Sequence, residues 1–258
     1  MGNPVVRFEI GAADDQPLVR FYGELFGWDL QAVSEGYTVV DTRGGRGING
    51  GIGRSDTGEP WATFYVEVDD LQATLERAEA LGGRTVVPVI ELPGMAFAMF
   101  DDPDGLQVGL MRSGASADAV TRPPSEGDGA AVDWFEVLGA DAGRSQAFYA
   151  ELFGWEVPGG AYGQVVAGIG GGIGAGGDNS WATVYASVGD VEATLARVAS
   201  LGGTRVYGPN QVDDHTETGA FRDPAGNLVG VYHHGPHCAA RASTAAARCG
   251  WTGWTATR

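Results

Sequence analysis

The sequence predicts an α+β protein in which two tandem domains each contain two strand–helix–three-strand (βαβββ) units. The main observation is a duplication: the octet FYGELFGW at 21–28 returns as FYAELFGW at 148–155, 127 residues later. Other matches follow in the same order, so a whole domain is repeated rather than one motif. Within each copy a strand pattern precedes a helix pattern, and this order occurs twice.

The matching segments extend to the end of each copy. WATFYVEVDDLQATLERAEALGG at 61–83 matches WATVYASVGDVEATLARVASLGG at 181–203, and FDDPDGLQVGL at 100–110 matches FRDPAGNLVGV at 221–231. These pairs are separated by 120 or 121 residues rather than 127. The second copy is therefore trimmed by six residues in the loop after its first tryptophan.

The first unit of domain 1 shows how each element is predicted. VVRFEI at 5–10 alternates apolar and charged residues, which is typical of a strand. The helix that follows has Asp14 and Asp15 as cap candidates, Pro17 in its first turn and Gly27 as its stop. Its apolar face, at helical spacing, consists of Leu18, Phe21, Tyr22, Leu25 and Phe26.

The remaining elements follow the same reasoning. Three strands are predicted after the first helix, around 28–33, 37–41 and 46–53. The second unit is predicted to contain strand 61–68, helix 70–81 and strands near 84–89, 95–101 and 106–112. Domain 2 is predicted to repeat both units, which gives the βαβββ order four times in the chain.

Two segments do not fit the repeat. Segment 114–129 is rich in Ser, Gly, Pro and Ala without a hydrophobic period, so it is predicted to be a linker between domain 1 (1–113) and domain 2 (130–233). We expect 234–258 to be a disordered tail. Residues 233–258 contain no acidic residue but three of the four histidines and both cysteines. Adventitious metal binding there is the less favoured alternative, by His233, His234, His237 and Cys238.

Composition excludes several classes of function. The 33 acidic residues outnumber the 16 Lys and Arg residues, and the net charge of −17 would repel nucleic acid and anionic lipid. No apolar run approaches the roughly 20 residues of a membrane-spanning helix, and no secretory leader is evident. Cys238 and Cys249 lie near the C-terminal end, so no disulfide framework is predicted. We expect a cytoplasmic protein.

The FYxxLFGW helix end, the LGG helix end and the DPxG turn before the last strand occur in the same order in both copies. This ordered set resembles the vicinal oxygen chelate superfamily, which includes glyoxalase I, extradiol dioxygenases, fosfomycin-modifying enzymes and bleomycin-binding resistance proteins. The resemblance covers everything except the linker and the tail. It implies that paired βαβββ units curl a mixed sheet into a cup, with helices outside and a small-molecule ligand or metal inside. It also implies that the two domains pack as a pseudo-dimer, while a further homodimer is left open.

The resemblance also implies where metal ligands would stand. Metal-using members take His, Gln or Glu from the first, fourth, fifth and eighth strands, and the fourth-strand position falls in GINGGIG or GIGGGIG. The other three positions carry Arg7 and Trp134, Thr63 and Thr183, and Gly109 and Gly230. Guanidinium, indole and glycine cannot replace imidazole or carboxylate as metal ligands. We therefore expect no metal site and no cofactor, which disfavours the extradiol dioxygenase and metal-dependent glyoxalase functions.

Strand alternation predicts which side chains face the cup. In the first strand Val6, Phe8 and Ile10 are predicted to face the helices, which leaves Val5, Arg7 and Glu9 for the cup. In domain 2 the positions of Arg7 and Glu9 are taken by Trp134 and Glu136. In the fifth strand the predicted cup residues are Trp61, Thr63, Tyr65 and Glu67, and those of domain 2 are Trp181, Thr183, Tyr185 and Ser187.

These positions suggest catalytic candidates. Glu9 and Glu136 would be carboxylates in aromatic surroundings, able to act as general base or to bind a cationic ligand; alternatively each is paired with a neighbour, such as Arg7, or solvated at the rim. Tyr65 and Tyr185 could donate hydrogen bonds to a ligand or only pack. His215, on a loop, could transfer a proton or simply be solvated.

The same positions suggest a binding surface. Trp61, Trp134 and Trp181 could clamp a planar ligand, although most such tryptophans belong to cores. The other predicted ligand contacts are Arg7, Thr63, Glu67 and Thr183. The first functional hypothesis is binding of a small, aromatic-bearing organic molecule without turnover, as in the bleomycin-resistance branch that the chain resembles.

Two alternatives are kept. One is a metal-independent isomerase, lyase or hydrolase of metabolism or natural-product tailoring that uses Glu9 or Glu136 as base, so whether the protein is an enzyme is left open. The other is that one domain binds and the other serves as a scaffold. The differences between Arg7 and Trp134 and between Glu67 and Ser187 favour two chemically unlike cups.

Overall fold

The computed structural model describes residues 2–55, 57–92, 94–113, 122–177 and 179–235. The elements of domain 1 are β1 (Val5–Ala12), α1 (Gln16–Phe26), β2 (Asp29–Ser34), β3 (Tyr37–Asp41), β4 (Gly50–Arg54), β5 (Trp61–Glu67), α2 (Leu71–Ala80), β6 (Arg84–Leu92), β7 (Met95–Asp101) and β8 (Gln107–Ser113). Those of domain 2 are β9 (Val132–Gly139), α3 (Ala142–Phe153), β10 (Tyr162–Ala167), β11 (Ile169–Ala175), β12 (Trp181–Ser187), α4 (Val191–Ser200), β13 (Thr204–Gln211), β14 (Thr216–Arg222) and β15 (Leu228–His234).

Each domain contributes one mixed sheet. The first has eight strands in the order β2-β3-β4-β1-β5-β8-β7-β6, and the second has seven in the order β10-β11-β9-β12-β15-β14-β13. The two units of a domain join where β1 runs antiparallel to β5, and β9 to β12. The first strand of each unit pairs in parallel with the last, as β1 does with β4. The predicted tandem α+β architecture is confirmed.

The prediction of four βαβββ units is wrong for the first unit of domain 2, which lacks the strand equivalent to β2. The segment between Trp155 and β10 forms no strand, contains Pro158, Gly159 and Gly160, and is two residues shorter than its counterpart between Trp28 and β3. The other four missing residues lie between Tyr162 and Gly174, in the connection of the hairpin, and not in the loop after Trp155 as predicted. Proline cannot donate to a strand ladder, and glycine weakens a strand. As a result β10 is the edge strand of its sheet.

The octet motif forms the end of α1 and of α3, as predicted. Leu18, Phe21, Tyr22 and Phe26 of α1 are buried, and the helix ends at Gly27 in the left-handed conformation, with φ of 68°. Gly154 ends α3 with the same φ. A residue with a side chain would be strained there, which explains why both copies carry glycine.

The octet of each domain also contacts the DPxG turn of the other. The Tyr22 hydroxyl donates to Asp223 Oδ2 at 2.9 Å, and the Tyr149 hydroxyl donates to Asp102 Oδ2 at 2.9 Å. Both aspartates are buried. The two strongest sequence motifs therefore meet in pairs across the domain interface.

Aromatic packing and the repeated tryptophans extend this interface. Phe64 and Phe135 pack with ring centroids 4.7 Å apart, between the backs of the two sheets. The indole of Trp28 donates to the Ala130 carbonyl at 2.8 Å, and that of Trp155 donates to the Asn3 carbonyl at 2.7 Å. Each indole thus ties its own domain to the start of the other.

One strand face differs from the prediction. The β1–β5 pairing shifts register between Val5 and Arg7, which is a β-bulge. Val5 therefore joins the core with Phe8, while Val6 packs with Tyr65 on the cup side. The predicted alternation holds from Arg7 onward and is reversed for the two valines, because the extra residue changes the phase of the strand.

The second half of the linker lies on domain 1. Arg122 forms an ion pair with Asp41 at 2.9 Å, and the Ser125 amide donates to the same carboxylate. At the other end of domain 2, β15 continues to His234, one residue into the predicted tail. His237, Cys238 and Cys249 lie outside the described residues. Among the described residues, no helix is both long and apolar enough to cross a membrane.

Candidate functional site

The face of each sheet that points away from the other domain carries a cluster of polar and aromatic side chains around one glutamate. We call the cluster of the first sheet cup 1; its central residues are Arg7, Glu9, Tyr37, Trp61 and Tyr65. The cluster of the second sheet is cup 2, and its central residues are Trp134, Glu136, Tyr162, Trp181 and Tyr185.

Glu9 of cup 1 is held by two tyrosine hydroxyls. Tyr37 donates to Oε1 at 2.7 Å, and Tyr65 donates to Oε2 at 2.5 Å. Arg7 is buried and donates from Nη2 to the Tyr37 hydroxyl at 2.8 Å. The predicted partnership of Arg7 and Glu9 therefore passes through Tyr37.

Glu136 of cup 2 is held by three donors. Tyr162 donates to Oε1 at 3.0 Å, while Tyr185 and the Trp181 indole donate to Oε2 at 2.6 and 2.9 Å. The Tyr185 hydroxyl also shares a hydrogen bond of 2.9 Å with that of Tyr207. Glu136 is only 6% exposed. The alternative prediction, that Glu136 is solvated at the rim of the cup, is therefore wrong.

Sequence reasoning missed Tyr37 and Tyr162, although the two are structurally equivalent. Tyr37 pairs with Gly53 and Tyr162 pairs with Gly174 at matching ends of the two hairpins. The tyrosines are 125 residues apart, a separation that falls between the two constant offsets, because two of the six residues that domain 2 lacks precede them and four follow them. Alternation along β3 and β10, applied after structural pairing, would have found them.

Glycines make room for the tyrosine rings. A Cβ at Gly109 or Gly230 would clash with the ring of Tyr65 or Tyr185. A Cβ at Gly51 or Gly172, on the neighbouring strands, would clash with the hydroxyl of Tyr37 or Tyr162. The tyrosine network thus fills space where side chains of the fourth and eighth strands would otherwise project.

The residues at the metal-ligand positions do not fit a divalent metal. Thr63 Oγ1 donates to the Gln107 carbonyl at 2.7 Å, and Thr183 Oγ1 donates to the Leu228 carbonyl at 2.6 Å. Both threonines are buried, so these hydroxyls tie neighbouring strands together rather than point into a cup. Arg7 offers only donors. Within the described ranges, no group of three or more His, Cys, Asp or Glu could hold a metal ion.

The two equivalent tryptophans adopt different roles. Trp181 donates to Glu136, whereas the buried Nε1 of Trp61 has no hydrogen-bond partner among the described residues. Trp61 lies across Gly11, where a Cβ would overlap its six-membered ring. The residue opposite Trp181 is Leu138. Leucine at that position prevents the indole from lying across the strand, which explains why it turns towards the carboxylate.

The cups also differ beside the glutamates. In cup 1, Tyr65 packs with Met99 and Met111, together with Val87 and Phe97. By strand register, the four equivalent positions of domain 2 carry Ala220, Tyr232, Tyr207 and Thr218. Cup 1 is therefore apolar and rich in sulfur beside Glu9, whereas cup 2 is rich in hydroxyls beside Glu136.

One end of cup 2 receives a side chain from domain 1. Arg46 forms an ion pair with Asp133 at 2.6 Å and donates to Ser187 Oγ at 2.9 Å. Asp133 also accepts from the Tyr232 hydroxyl at 2.7 Å. In cup 1, the position equivalent to Ser187 carries Glu67, which is half-buried at the end of β5.

His215 does not join the carboxylate network. It is exposed before β14, and its ring lies 6.3 Å from that of His234. Its backbone amide donates to Asp213, and its carbonyl accepts from Gly235. These contacts do not support the catalytic role predicted for His215. The sequence pattern could not show where a histidine on a loop would lie relative to the cup.

Burial perturbs the acidities in both cups. Desolvation raises the pKa of Glu136, and the hydrogen bonds from Tyr185, Trp181 and Tyr162 oppose this shift only in part. Burial and the nearby glutamate raise the pKa of Tyr65 and of Tyr185, so both hydroxyls keep their protons and act as donors. A carboxylate that is costly to ionise is thus held in place by neutral donors.

The raised pKa of Glu136 predicts how stability depends on pH. The folded state favours the protonated acid, so the wild-type protein loses stability as pH rises from the ordinary glutamate pKa of 4.5 through the folded-state pKa. Glu136→Gln does not titrate. We therefore expect the free energy of unfolding of Glu136→Gln to increase relative to that of the wild type as pH rises across this range. Urea unfolding at pH 4, 5.5 and 7.5 measures the difference, and a constant difference would contradict the assignment.

Comparison with known families agrees with the fold. Residues 7–111 match a family model described as a glyoxalase-like domain. Residues 131–231 match the model of the glyoxalase/bleomycin resistance protein/dioxygenase superfamily. The two matches cover both cups and coincide with the two sheets.

Several individual proteins are similar to this chain. The anthracycline biosynthesis protein DnrV of Streptomyces peucetius is 28% identical, over 76% of this chain and 81% of DnrV. DauV of Streptomyces sp. (strain C5), also named for anthracycline biosynthesis, is 29% identical over 57% of this chain and 59% of DauV, less than two thirds of that relative. A glyoxylase-like domain-containing protein of Didymella fabae is 33% identical, over 38% of this chain and 84% of that protein.

Among solved structures, the Mn(II)-bound glyoxalase from Novosphingobium aromaticivorans is similar in fold. It superposes with a TM-score of 0.64 over 90% of this chain and 83% of that chain. The sequence identity is 15%, so this likeness concerns the fold alone.

Proposed function

Because the chain belongs to the glyoxalase/bleomycin resistance protein/dioxygenase superfamily, we propose that it binds a small aromatic organic molecule in its cups without using a metal. The observation that carries the proposal is the carboxylate–tyrosine network. In both cups, tyrosines and a glutamate fill the space next to the metal-ligand positions, and those positions lack the imidazole and carboxylate ligands of a first-row metal site.

The lining of the cups supports an aromatic ligand. Binding sites for small organic molecules are concave and largely apolar or aromatic, with a few polar groups that orient the ligand. Trp134, Tyr162, Trp181 and Tyr207 are partly exposed in cup 2 and offer ring surface around Glu136. The relatives named for anthracycline biosynthesis support the same class, because an anthracycline contains a planar anthraquinone ring system.

Hydrogen bonding favours binding over turnover in cup 2. An ionised carboxylate has about four lone-pair positions, and Glu136 already accepts three hydrogen bonds. A general base must have a free lone pair within reach of the proton that it removes. Glu136 is thus better suited to hold a network together than to exchange protons with a substrate.

Glu9 supports the second candidate function. It accepts two hydrogen bonds and is half-buried, so it keeps lone pairs for a substrate. In that case cup 1 would catalyse a metal-independent isomerase, lyase or hydrolase reaction with Glu9 as base. Product analysis after incubation with a bound ligand tests this function, and loss of product formation in Glu9→Gln would favour it over binding alone.

Titration with a hydroxyanthraquinone tests the binding proposal. We expect quenching of tryptophan fluorescence and a rise in Tm for the wild-type protein. Trp134→Ala removes one ring from cup 2, and Trp61→Ala removes one ring from cup 1. If a cup is occupied, its tryptophan variant should bind the hydroxyanthraquinone about two- to tenfold more weakly, since an aromatic contact contributes about 0.5–1.5 kcal/mol.

Two results would contradict the binding proposal. One is unchanged affinity in both tryptophan variants, which would place the ligand outside the cups. The other is a stoichiometric divalent metal, found by elemental analysis of a chain that ends at residue 235 and therefore lacks His237 and both cysteines.

A further inference from the structure

Glu136 is a buried carboxylate without a cationic partner. The groups that act on its pKa are the protein interior and the donors Tyr185, Trp181 and Tyr162, all of which are neutral. No basic side chain forms an ion pair with it among the described residues. Buried carboxylates are usually paired with a cation, because an isolated charge in the interior is costly.

Aromatic rings surround this carboxylate. Trp181, Tyr162 and Tyr185 contact it directly, and Tyr207 is hydrogen-bonded to Tyr185. Trp134 lies two residues before Glu136 on the same strand, and alternation places both on the cup face. Faces of tryptophan and tyrosine rings attract organic cations.

Cup 1 differs from cup 2 at the position that determines whether the cup contains a cationic side chain. Arg7 stands where cup 2 has Trp134, and it reaches the Glu9 network through the Tyr37 hydroxyl. The guanidinium also acts on the acidity of Tyr37 and Tyr65. Cup 1 therefore supplies a positive charge of its own, which repels a second cation.

The cation at the far end of cup 2 does not serve Glu136. Arg46 forms its ion pair with Asp133, and this carboxylate accepts from Tyr232 as well. The cluster is balanced in charge without Glu136. The side chain of Arg46 is 58% exposed, at the rim rather than beside the buried glutamate.

We propose that cup 2 selects an aromatic ligand that carries an organic ammonium group, with the ammonium against the rings around Glu136. This inference rests on the proposed function and adds the charge class of the ligand and the cup that takes it. The ammonium supplies the positive charge that cup 2 lacks. The net charge of −17 attracts such a ligand to the protein at low ionic strength.

A pair of isosteric probes tests the inference. Benzyltrimethylammonium and neopentylbenzene have the same shape, and only the first is charged. Their affinities for the full chain are compared at pH 7 by equilibrium dialysis at equal cosolvent. We expect the cation to bind at least tenfold more tightly and to displace a hydroxyanthraquinone from cup 2.

Single substitutions in the two cups test which cup is responsible for the preference for the cation. Glu136→Gln should reduce the preference for the cation at least tenfold, whereas Glu9→Gln, the matched change in cup 1, should keep it. Trp134→Arg places the charge of Arg7 in cup 2 and should abolish cation binding while the charge of Glu136 is kept. Thermal melts show that each variant is folded, and because the two cup 2 variants act through different residues, a folding defect in one leaves the other as a test.

The outcomes separate this inference from the proposed function. Equal affinity for both probes, with displacement of the hydroxyanthraquinone, would overturn the charge preference and leave aromatic binding in the cup intact. Loss of cation binding in Glu9→Gln but not in Glu136→Gln would overturn the assignment to cup 2. If neither of the two probes nor the hydroxyanthraquinone bound to the protein, both proposals would be overturned.

Discussion

Replacing Asp223 with alanine should lower the free energy of unfolding by about 3–5 kcal/mol, since each buried donor left unpaired costs about 1–3 kcal/mol. The Asp223 carboxylate accepts from the Tyr22 hydroxyl of the other domain and from the side chain of Asn227. It also accepts from the backbone amides of Ala225 and Asn227. The change removes both the interdomain hydrogen bond and the support of the DPxG turn.

Urea unfolding of Asp223→Ala and Tyr22→Phe, alone and combined, measures this effect. The double-mutant cycle isolates the interdomain bond, and Asp102→Ala with Tyr149→Phe provides the same cycle at the second interface. We expect a coupling energy of about 1 kcal/mol or more at both. Additive effects would show that the octets and turns do not stabilise the domain pair.

Replacing Gly230 with alanine is expected to have the second-largest effect. A Cβ there would clash with the ring of Tyr185, so the ring must move away from Glu136. Forcing extra atoms into a packed site costs about 1–3 kcal/mol. The shift also leaves one oxygen of Glu136 without its shortest hydrogen bond, so ligand binding in cup 2 should weaken about tenfold or more. Tm and fluorescence titration measure the two effects.

Two controls show whether the ring is the cause. In a Tyr185→Leu background the ring is gone, so adding Gly230→Ala should cost far less than in the wild type. Gly109→Ala, which crowds Tyr65 in the same way, should disturb cup 1 and leave cup 2 unchanged. An equal cost of Gly230→Ala in both backgrounds would contradict the packing explanation.

The central residues of the candidate site were predictable in part. Glu9, Glu136, Tyr65 and Tyr185 lie where strand alternation places them, because β1, β5 and their counterparts are regular at these positions. Tyr37 and its counterpart were missed because domain 2 lacks residues on both sides of them, so neither constant offset aligns the two. Sequence spacing carries no information on a partner that is brought near by a separate hairpin.

Other side chains show where alternation is insufficient. Thr63 and Thr183 are on the predicted strand face, yet their hydroxyls bond to the adjacent strand, which only the order of strands in the sheet could reveal. Trp61 and Trp181 are equivalent in sequence and differ in orientation. Their difference depends on the residue opposite each, Gly11 or Leu138, and this pairing is a property of the register.

The sequence by itself determined the duplication, the strand–helix order and the helix ends, because these depend on local periodicity and on residues such as Gly27 and Gly154. Together with the resemblance to the family, it also predicted that the metal-ligand positions carry unsuitable side chains. The tertiary structure alone decided that each octet bonds to the turn of the other domain. It also decided that each glutamate is held by two tyrosines from different strands and that Arg7 gives cup 1 a charge that cup 2 lacks. These contacts join residues far apart in the chain, and their geometry is set by sheet register and domain packing rather than by local preference.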